Sequence, residues 1–117
     1  MNCWNAYREM LEPLSERGCI DLPYVPDGCV HNAHMFYIKA ADLEERTKLI
    51  SHIRADGIEA VFHYIPLHAA PAGKKFGRFN GTDTYTTRES ERLVRLPMYY
   101  GLGIDEVEQV CDSVKRI

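Results

Sequence analysis

The sequence lacks the features of membrane, secreted and nucleic-acid-binding proteins. No apolar run in its 117 residues approaches the ~18 residues that a membrane-spanning helix needs. The first residues contain neither a basic segment nor an apolar one, so we expect no signal peptide. Lys plus Arg number 14 and Asp plus Glu 17, which gives a net charge of -3. This balance offers no electrostatic basis for binding nucleic acid or an anionic membrane surface.

The chain also lacks any CxxC pair among its four cysteines. In a chain without an export signal, reduced thiols are more common than a disulfide framework. We therefore expect a cytoplasmic protein. The cysteines are Cys3, Cys19, Cys29 and Cys111.

What remains is an ordinary globular composition, with 45% hydrophobic and 26% charged residues. A chain of this length has room for one domain, which buries roughly two-thirds of the surface that the unfolded chain exposes. We expect it to fold alone with modest stability.

The first predicted element is a helix at residues 3–17, which Gly18 ends. Its apolar face is strong for the first helix of a chain, and this suggests that a covering partner lies upstream. With that partner absent, we expect weak self-association through Trp4, Tyr7 and Leu11.

Along the rest of the chain, the spacing of the apolar residues and of the glycines and prolines predicts a small α+β domain. Residues 66–86 are polar and rich in glycine and proline, and loops of this length are often functional. A short two- or three-stranded sheet, covered by helices on one face, is the simplest packing of these elements. The inner face of the second helix is expected at Leu43, Thr47, Ile50 and Ile53. The other predicted elements are strands at 34–39 and 60–65, a helix from Asp42 to Gly57, a helix from Thr86 that Pro97 ends, and a helix at 104–115.

A metal site is the first candidate chemistry, because His31, His34 and Cys29 could supply part of a zinc site. On a strand the two histidines would point to opposite faces, and no second ligand pair has a matching spacing. Polar histidines lining a cleft are the favoured interpretation, and we predict no metal.

Two further groups are candidates for binding. Tyr64 and His68 follow a predicted strand, where sites are often built. A core tyrosine and a surface histidine are the ordinary alternative. A glycine-rich stretch carries three cations that could hold a phosphate, although its spacing is not that of a phosphate-binding loop. These cations are Lys74, Lys75 and Arg78.

Several longer runs resemble the C-terminal part of the sugar aminotransferases of the type I pyridoxal-phosphate (PLP) fold. The resemblance covers essentially the whole chain, and its two most specific blocks contain the sequences His-Asn-Ala-His-Met-Phe-Tyr and His-Tyr-Ile-Pro-Leu-His. The matching runs lie at 4–7, 22–23, 29–39, 60–68, 71–73, 85–93 and 95–100.

The resemblance implies that residues 1–18 end an interdomain linking helix and that residues 19–117 form the small C-terminal domain. It further implies a large PLP-binding domain elsewhere, a homodimer, and amino transfer from glutamate to the 4-keto carbon of a dTDP-linked 6-deoxyhexose.

None of the five lysines lies in the Schiff-base lysine motif of that family. We therefore expect no catalytic or cofactor-binding residue here, no bound cofactor and no activity from this chain alone. A free-standing domain that binds a nucleotide sugar or a protein partner is the alternative. The predicted substrate-side residues are His34, Tyr64, His68, Lys74, Lys75 and Arg78.

Overall fold

A computed structural model describes residues 1–116 and confirms the predicted α+β class. The chain forms five helices and a three-stranded antiparallel sheet within those residues. In chain order the elements are α1 (Asn2–Glu16), β1 (Phe36–Lys39), α2 (Leu43–Ala55), β2 (Val61–Phe62), α3 (Pro71–Phe76), α4 (Thr86–Arg92), β3 (Leu93–Leu96) and α5 (Ile104–Lys115).

The last strand in the sequence is the central strand of the sheet. β3 lies between β1 and β2 and pairs antiparallel with both. Val94 therefore stands opposite Ile38 on one side and Phe62 on the other. β2 pairs with β3, whereas β1 pairs with β3 and also exchanges two backbone hydrogen bonds with Asp21 through Lys39, both at 2.9 Å.

The prediction of a single helix from Thr86 to Pro97 is wrong in its second half. The helix ends at Arg92, and Leu93 already has an extended backbone. Arg92 fixes this boundary, because its guanidinium donates to the carbonyl of Ala40 at 2.7 Å and to the carboxylate of Asp21 at 2.7 Å. These bonds hold the start of β3 beside the end of β1.

Three other boundaries differ from the prediction. The first strand starts at Phe36 rather than at residue 34, and the second is reduced from 60–65 to two residues. The second strand ends at Phe62, and Tyr64, two residues later, adopts a left-handed backbone with φ 61° that does not continue a strand. The predicted loop 66–86 contains α3, which begins with Pro71 at its first turn, where a missing N–H costs nothing.

The helices α1, α2 and α5 cover one face of the sheet and enclose a single core. Trp4 and Tyr7 of α1 pack against Phe36, with ring centroids 5.4 and 5.0 Å apart. The expectation that the apolar side of α1 is exposed is therefore wrong, since Tyr7 and Leu11 are fully buried within this chain. The face is covered by β1 and α5, so it offers no surface for self-association.

The second helix has the predicted cap but a rotated inner face. The Asp42 carboxylate accepts from the backbone N–H of Glu45 at 2.9 Å, as a helix N-cap does. Leu43 and Thr47, which we expected inside, are exposed. The residues of α2 that are buried are Leu49, Ile50 and Ile53.

The final helix matches the prediction in both bounds and face. Val107, Val110, Cys111 and Val114 are all buried against the core. Glu106 bonds back to the amide of Gly103 at 2.8 Å and so satisfies one of the free donors at the helix start.

The chain between Ala60 and Val94 contributes no buried residue to this core. It carries α3 and α4 on the outside of the domain, together with a group of exposed aromatic and aliphatic side chains. Within residues 1–116 no helix has both the length and the apolar character needed to cross a membrane. The exposed group consists of Phe62, Tyr64, Ile65, Leu67, Phe76, Phe79 and Tyr85.

Candidate functional site

The face of the sheet opposite the helices carries the central residue of the site, Arg95. It lies in the middle of β3, opposite Tyr37 of β1 and Val61 of β2. Strand alternation puts Val94 and Leu96 into the core, so Arg95 lies on the other face. Sequence reasoning missed this residue because the segment was predicted to be helical.

His63 is a second site residue that sequence reasoning did not select. It follows β2, and its Nδ1 is buried without a hydrogen-bond partner among the described residues. Burial lowers the pKa of His63, and the positive charges of Arg95 and His34 lower it further. The ring is therefore neutral at pH 7.

His34 belongs to the same cluster, since its charge acts on His63. It is exposed in the loop before β1, and its Nδ1 lies 2.6 Å from the side-chain oxygen of Asn32. Because that oxygen only accepts, Nδ1 of His34 is the donor of this hydrogen bond. Ala33, between them, adopts a left-handed backbone with φ 52° and makes the turn.

Tyr64 stands beside His63 with an unusual backbone. Its left-handed conformation costs a residue that has a Cβ about 1–2 kcal/mol. The ring packs against His63 at a centroid distance of 4.6 Å and is 71% exposed. Tyr64 is thus a surface residue next to the cluster and has no place in the core.

His68 lies apart from this cluster and is engaged within the chain. Its Nε2 is 2.8 Å from the Asp83 carboxylate and 3.3 Å from the Thr87 hydroxyl, and its ring packs on Phe79 at 4.6 Å. The hydrogen bond from the Thr87 hydroxyl, aided by its backbone N–H and by His68, lowers the pKa of Asp83. These bonds connect His68, which follows β2, to Asp83 and to Thr87 at the start of α4.

The three predicted cations lie near one another on the outside of the domain. Lys74 and Lys75 are on α3 and Arg78 follows it, and all three are exposed. The Lys75 ammonium sits 5.0 Å from the ring centre of Phe76. The six residues predicted from the sequence therefore occupy two places, with His34 and Tyr64 near Arg95 and the other four around α3.

The histidine and cysteine residues do not assemble a metal centre in the described part of the chain. Among residues 1–116 no group of three or more His, Cys, Asp or Glu side chains has the arrangement of a metal site. His31 instead packs on the Trp4 ring at 4.2 Å.

Comparison with known proteins gives the family. The sequence matches the DegT/DnrJ/EryC1/StrS aminotransferase family over residues 1–115, and the chain belongs to that family. It is 27% identical over 114 residues to dTDP-3-amino-3,4,6-trideoxy-alpha-D-glucose transaminase from Micromonospora megalomicea subsp. nigra, a match that covers 95% of this chain and 29% of the relative.

Two solved structures show the same fold. An aminotransferase of this family from Brucella abortus superposes with a TM-score of 0.77 at 23% identity, covering 96% of this chain and 29% of that one. NtdA from Bacillus subtilis, solved with bound cofactor PMP, superposes with a TM-score of 0.79 at 23% identity, covering 97% and 26% respectively. The chain thus spans less than a third of the length of these proteins.

Proposed function

We propose that this chain acts as the small C-terminal domain of a PLP-dependent nucleotide-sugar aminotransferase. The observation that carries the proposal is the group formed by His34, His63 and Arg95. Arg95 lies on the face of the sheet that the chain's own helices leave open, and the positive charges of Arg95 and His34 act on His63 beside it. In a member of an aminotransferase family that spans under a third of its relatives, such a face supports a role as one wall of a cleft.

The large domain that we propose would carry the cofactor, because no lysine of this chain fits a Schiff base. An imine-forming lysine needs a desolvated site that keeps its amine neutral. Lys39, Lys48 and Lys115 lie near carboxylates at 2.8, 2.6 and 3.7 Å, and Lys74 and Lys75 are exposed. We therefore propose that this chain is inactive alone and that the intact enzyme is a homodimer with PLP on its large domain.

The reaction that we propose for the intact enzyme moves an amino group from glutamate to the 4-keto carbon of a dTDP-4-keto-6-deoxyhexose. The cofactor supplies an electron sink when bound. The blocks at 29–39 and 60–68 favour one particular enzyme, dTDP-4-amino-4,6-dideoxygalactose transaminase of enterobacterial common antigen synthesis. The four free cysteines are compatible with its cytoplasmic location.

This chain's own residues would contribute binding and orientation. Arg95 and the neutral His63 present a cation and a hydrogen-bonding nitrogen to a polar substrate. His34, Tyr64 and His68 remain our predicted substrate contacts. Lys74, Lys75 and Arg78 remain our predicted contacts to its phosphates.

The cofactor test uses the chain as it is. We expect the 117-residue protein, mixed with PLP and reduced with borohydride, to give only scattered, substoichiometric lysine adducts. A single stoichiometric adduct on one lysine would show that the cofactor machinery is in this chain.

The substrate test joins the chain to the large domain that we propose for the intact enzyme. With glutamate as donor, we expect this protein to aminate a dTDP-4-keto-6-deoxyhexose and to leave the 3-keto isomer unchanged. Amination of the 3-keto isomer would reject the proposed sugar while keeping the aminotransferase assignment. Loss of activity in Arg95→Gln, with a raised KM, would support the role of Arg95.

A free-standing binding domain is the second candidate. It is favoured by the core, which residues from both ends of the chain close through the contact of α1 with α5. This candidate requires tight binding without a large domain. Micromolar binding of a dTDP-sugar to this chain alone would favour a free-standing binding domain over the proposal that the chain forms one wall of a cleft.

A further inference from the structure

A cavity of about 450 Å³ lies between the ends of α1 and α5 and the first half of α2. Among the described residues, those that line it belong neither to the Arg95 cluster nor to the group around α3. Its apolar lining comes from side chains that are buried in the core or packed against it. The cavity is thus separate from the face that we propose as a cleft wall. The apolar lining residues are Leu14, Ile20, Ala40, Leu49 and Val114.

Backbone hydrogen bonds fix the wall that residues 17–21 form. The chain turns at Gly18, whose φ of 73° is left-handed, and the backbone N–H of Cys19 donates to the carbonyl of Leu14 at 2.9 Å. Two residues later, Asp21 exchanges two backbone hydrogen bonds with Lys39, both at 2.9 Å. The connection from α1 to the sheet is therefore held at both ends, and this wall of the cavity is in place before a ligand binds.

The rim of the cavity has a net positive charge, because its charged residues are three cations and one carboxylate. The carboxylate, Glu45, accepts from the backbone N–H of Ala41 at 3.2 Å. Lys48 and Lys115 pair with carboxylates that do not line the cavity. The third cation, Arg17, is exposed and has no carboxylate within 4.0 Å among residues 1–116. Arg17 is therefore the cation that can pair with a ligand.

We propose that this cavity binds an amphipathic monocarboxylate, with its apolar chain in the cavity and its carboxylate on the Arg17 guanidinium. Concave sites of this size, mostly apolar and with few charged groups, are typical of small-molecule binding. A guanidinium holds a carboxylate through two parallel N–H donors. Binding here needs neither the large domain nor Arg95, so it is a property beyond the proposed function. Because one side of the cavity is open to solvent, we expect a dissociation constant on the order of 1 mM for octanoate.

The test titrates the 117-residue chain with octanoate and measures how fast iodoacetamide alkylates each cysteine. Cys19 is exposed and lines the cavity, whereas Cys29 is exposed and does not line it. At ten times its dissociation constant, octanoate should slow the alkylation of Cys19 at least about fivefold. The rate at Cys29 should stay the same, which makes it an internal control.

Chain length and head group distinguish a defined site from general adsorption to apolar surface. From butanoate to octanoate, each added CH₂ should strengthen binding by up to about fourfold. Octanol has the same chain without the charge and should bind about tenfold more weakly than octanoate. Octylamine should give no protection of Cys19, because its ammonium meets the net positive rim.

Two variants test the charge and the cavity separately. Arg17→Gln should weaken octanoate binding about tenfold and leave octanol binding unchanged, because only the carboxylate uses the guanidinium. Arg88→Gln is the matched control, on the exposed surface of α4 and outside the cavity. Ala41→Phe adds a ring at an exposed position that lines the cavity, and it should weaken the binding of both probes.

Several results would overturn the proposal. These are equal slowing at Cys19 and Cys29, equal affinity for octanol and octanoate, or unchanged octanoate binding by Arg17→Gln. Full reactivity of Cys19 at about 20 mM octanoate, well above the expected dissociation constant, would also reject it. The measurement requires neither cofactor nor turnover, so its outcome is independent of the proposed aminotransferase function.

Discussion

Gly73 illustrates how one absent side chain can determine a local structure. Its close approach to the carbonyl oxygen of Leu67 leaves no room for a Cβ at 1.6 Å. In Gly73→Ala the backbone has to move, and α3 has no buried residue to hold it in place. The damage should therefore be local to α3 and leave the core intact.

Amide hydrogen exchange measures this effect. The N–H groups of Lys74 and Gly77 donate to Ala70 and Gly73 at 2.9 Å, and in Gly73→Ala we expect the exchange of Lys74 to speed up at least about tenfold. Gly77→Ala is the matched control, since its added Cβ would lie 3.4 Å from the nearest atom. Equal exchange in both variants would contradict the steric explanation.

His63 provides a prediction about charge. Its pKa is lowered first by burial and then by Arg95 and His34. In Arg95→Gln we expect the pKa to rise but to stay below its ordinary value, because burial remains. Ring-proton NMR measures it, and Arg88→Gln, on the exposed surface of α4, should leave it unchanged. An unchanged pKa in Arg95→Gln would remove Arg95 from the site.

The same group predicts a pH dependence of folding. The folded-state pKa of His63 lies below that of the unfolded chain, so the unfolded chain binds the proton more readily. The contribution of His63 to stability is complete above pH ~6.5 and is lost as pH falls through the folded-state pKa. The variant His63→Gln should reduce this loss in denaturation curves between pH 7 and pH 5.

Among the elements, β3 holds the sheet together. Val94 is fully buried and pairs with both neighbouring strands. Removing two methyl groups in Val94→Ala should lower the free energy of unfolding by about 2 kcal/mol. Trp4, the single tryptophan, is buried and gives a fluorescence signal for urea unfolding. Val30→Ala, at a side chain that is 96% exposed, should change stability by less than about 0.5 kcal/mol.

A second element-scale prediction concerns the bond between α2 and α5. The buried Ser113 hydroxyl donates to Asp56 at 2.5 Å, and Arg116 lies 2.6 Å from the same carboxylate oxygen. The Ser113 bond is the largest cause of the lowered pKa of Asp56. Such a carboxylate stabilises the fold above its unfolded-state pKa and loses that contribution as pH falls through the lower folded-state value.

The variant Ser113→Ala should accordingly lose more stability at pH 7 than at an acidic pH below the folded-state pKa of Asp56. Denaturation midpoints at the two pH values provide the measurement. Ser51→Ala, on the exposed side of α2, is the control. A loss of equal size at both pH values would show that Ser113 acts through packing alone.

The first and last described helices could be predicted from the sequence because their signals are local. α1 and α5 have continuous apolar faces and clear ends, and their bounds agree with the prediction to within about a residue. β3 was missed because Leu-Val-Arg-Leu fits a helix face as well as a strand, and pairing with two distant strands decides between them. His63 was not selected because its pKa depends on Arg95. The two residues are far apart in the sequence, and the pairing of β2 with β3 brings them together.

At the scale of the whole molecule, the core and the segment between Ala60 and Val94 differ in how firmly they are held. The segment contributes no buried residue, whereas α1, α2 and α5 enclose the core. We expect this segment to open far more often than the domain unfolds.

Limited trypsin digestion tests this difference. The first cuts should fall after Lys74, Lys75 or Arg78, all of which are exposed in that segment. The two fragments should stay associated through the core during gel filtration. First cuts at Lys48 or Arg54, within α2, would show that the segment is no less protected than the core.

The central position of β3 also determines when this domain can fold during its synthesis. While the polypeptide is being synthesised, β1 and β2 emerge before their shared partner and have no strand to pair with. α1 likewise waits for α5, which is synthesised after the other elements that the structure describes. Until α5 is made, Trp4 and Tyr7 of α1 lack the partners that bury them in the folded domain. We therefore expect this apolar segment to be a binding site for a chaperone during synthesis.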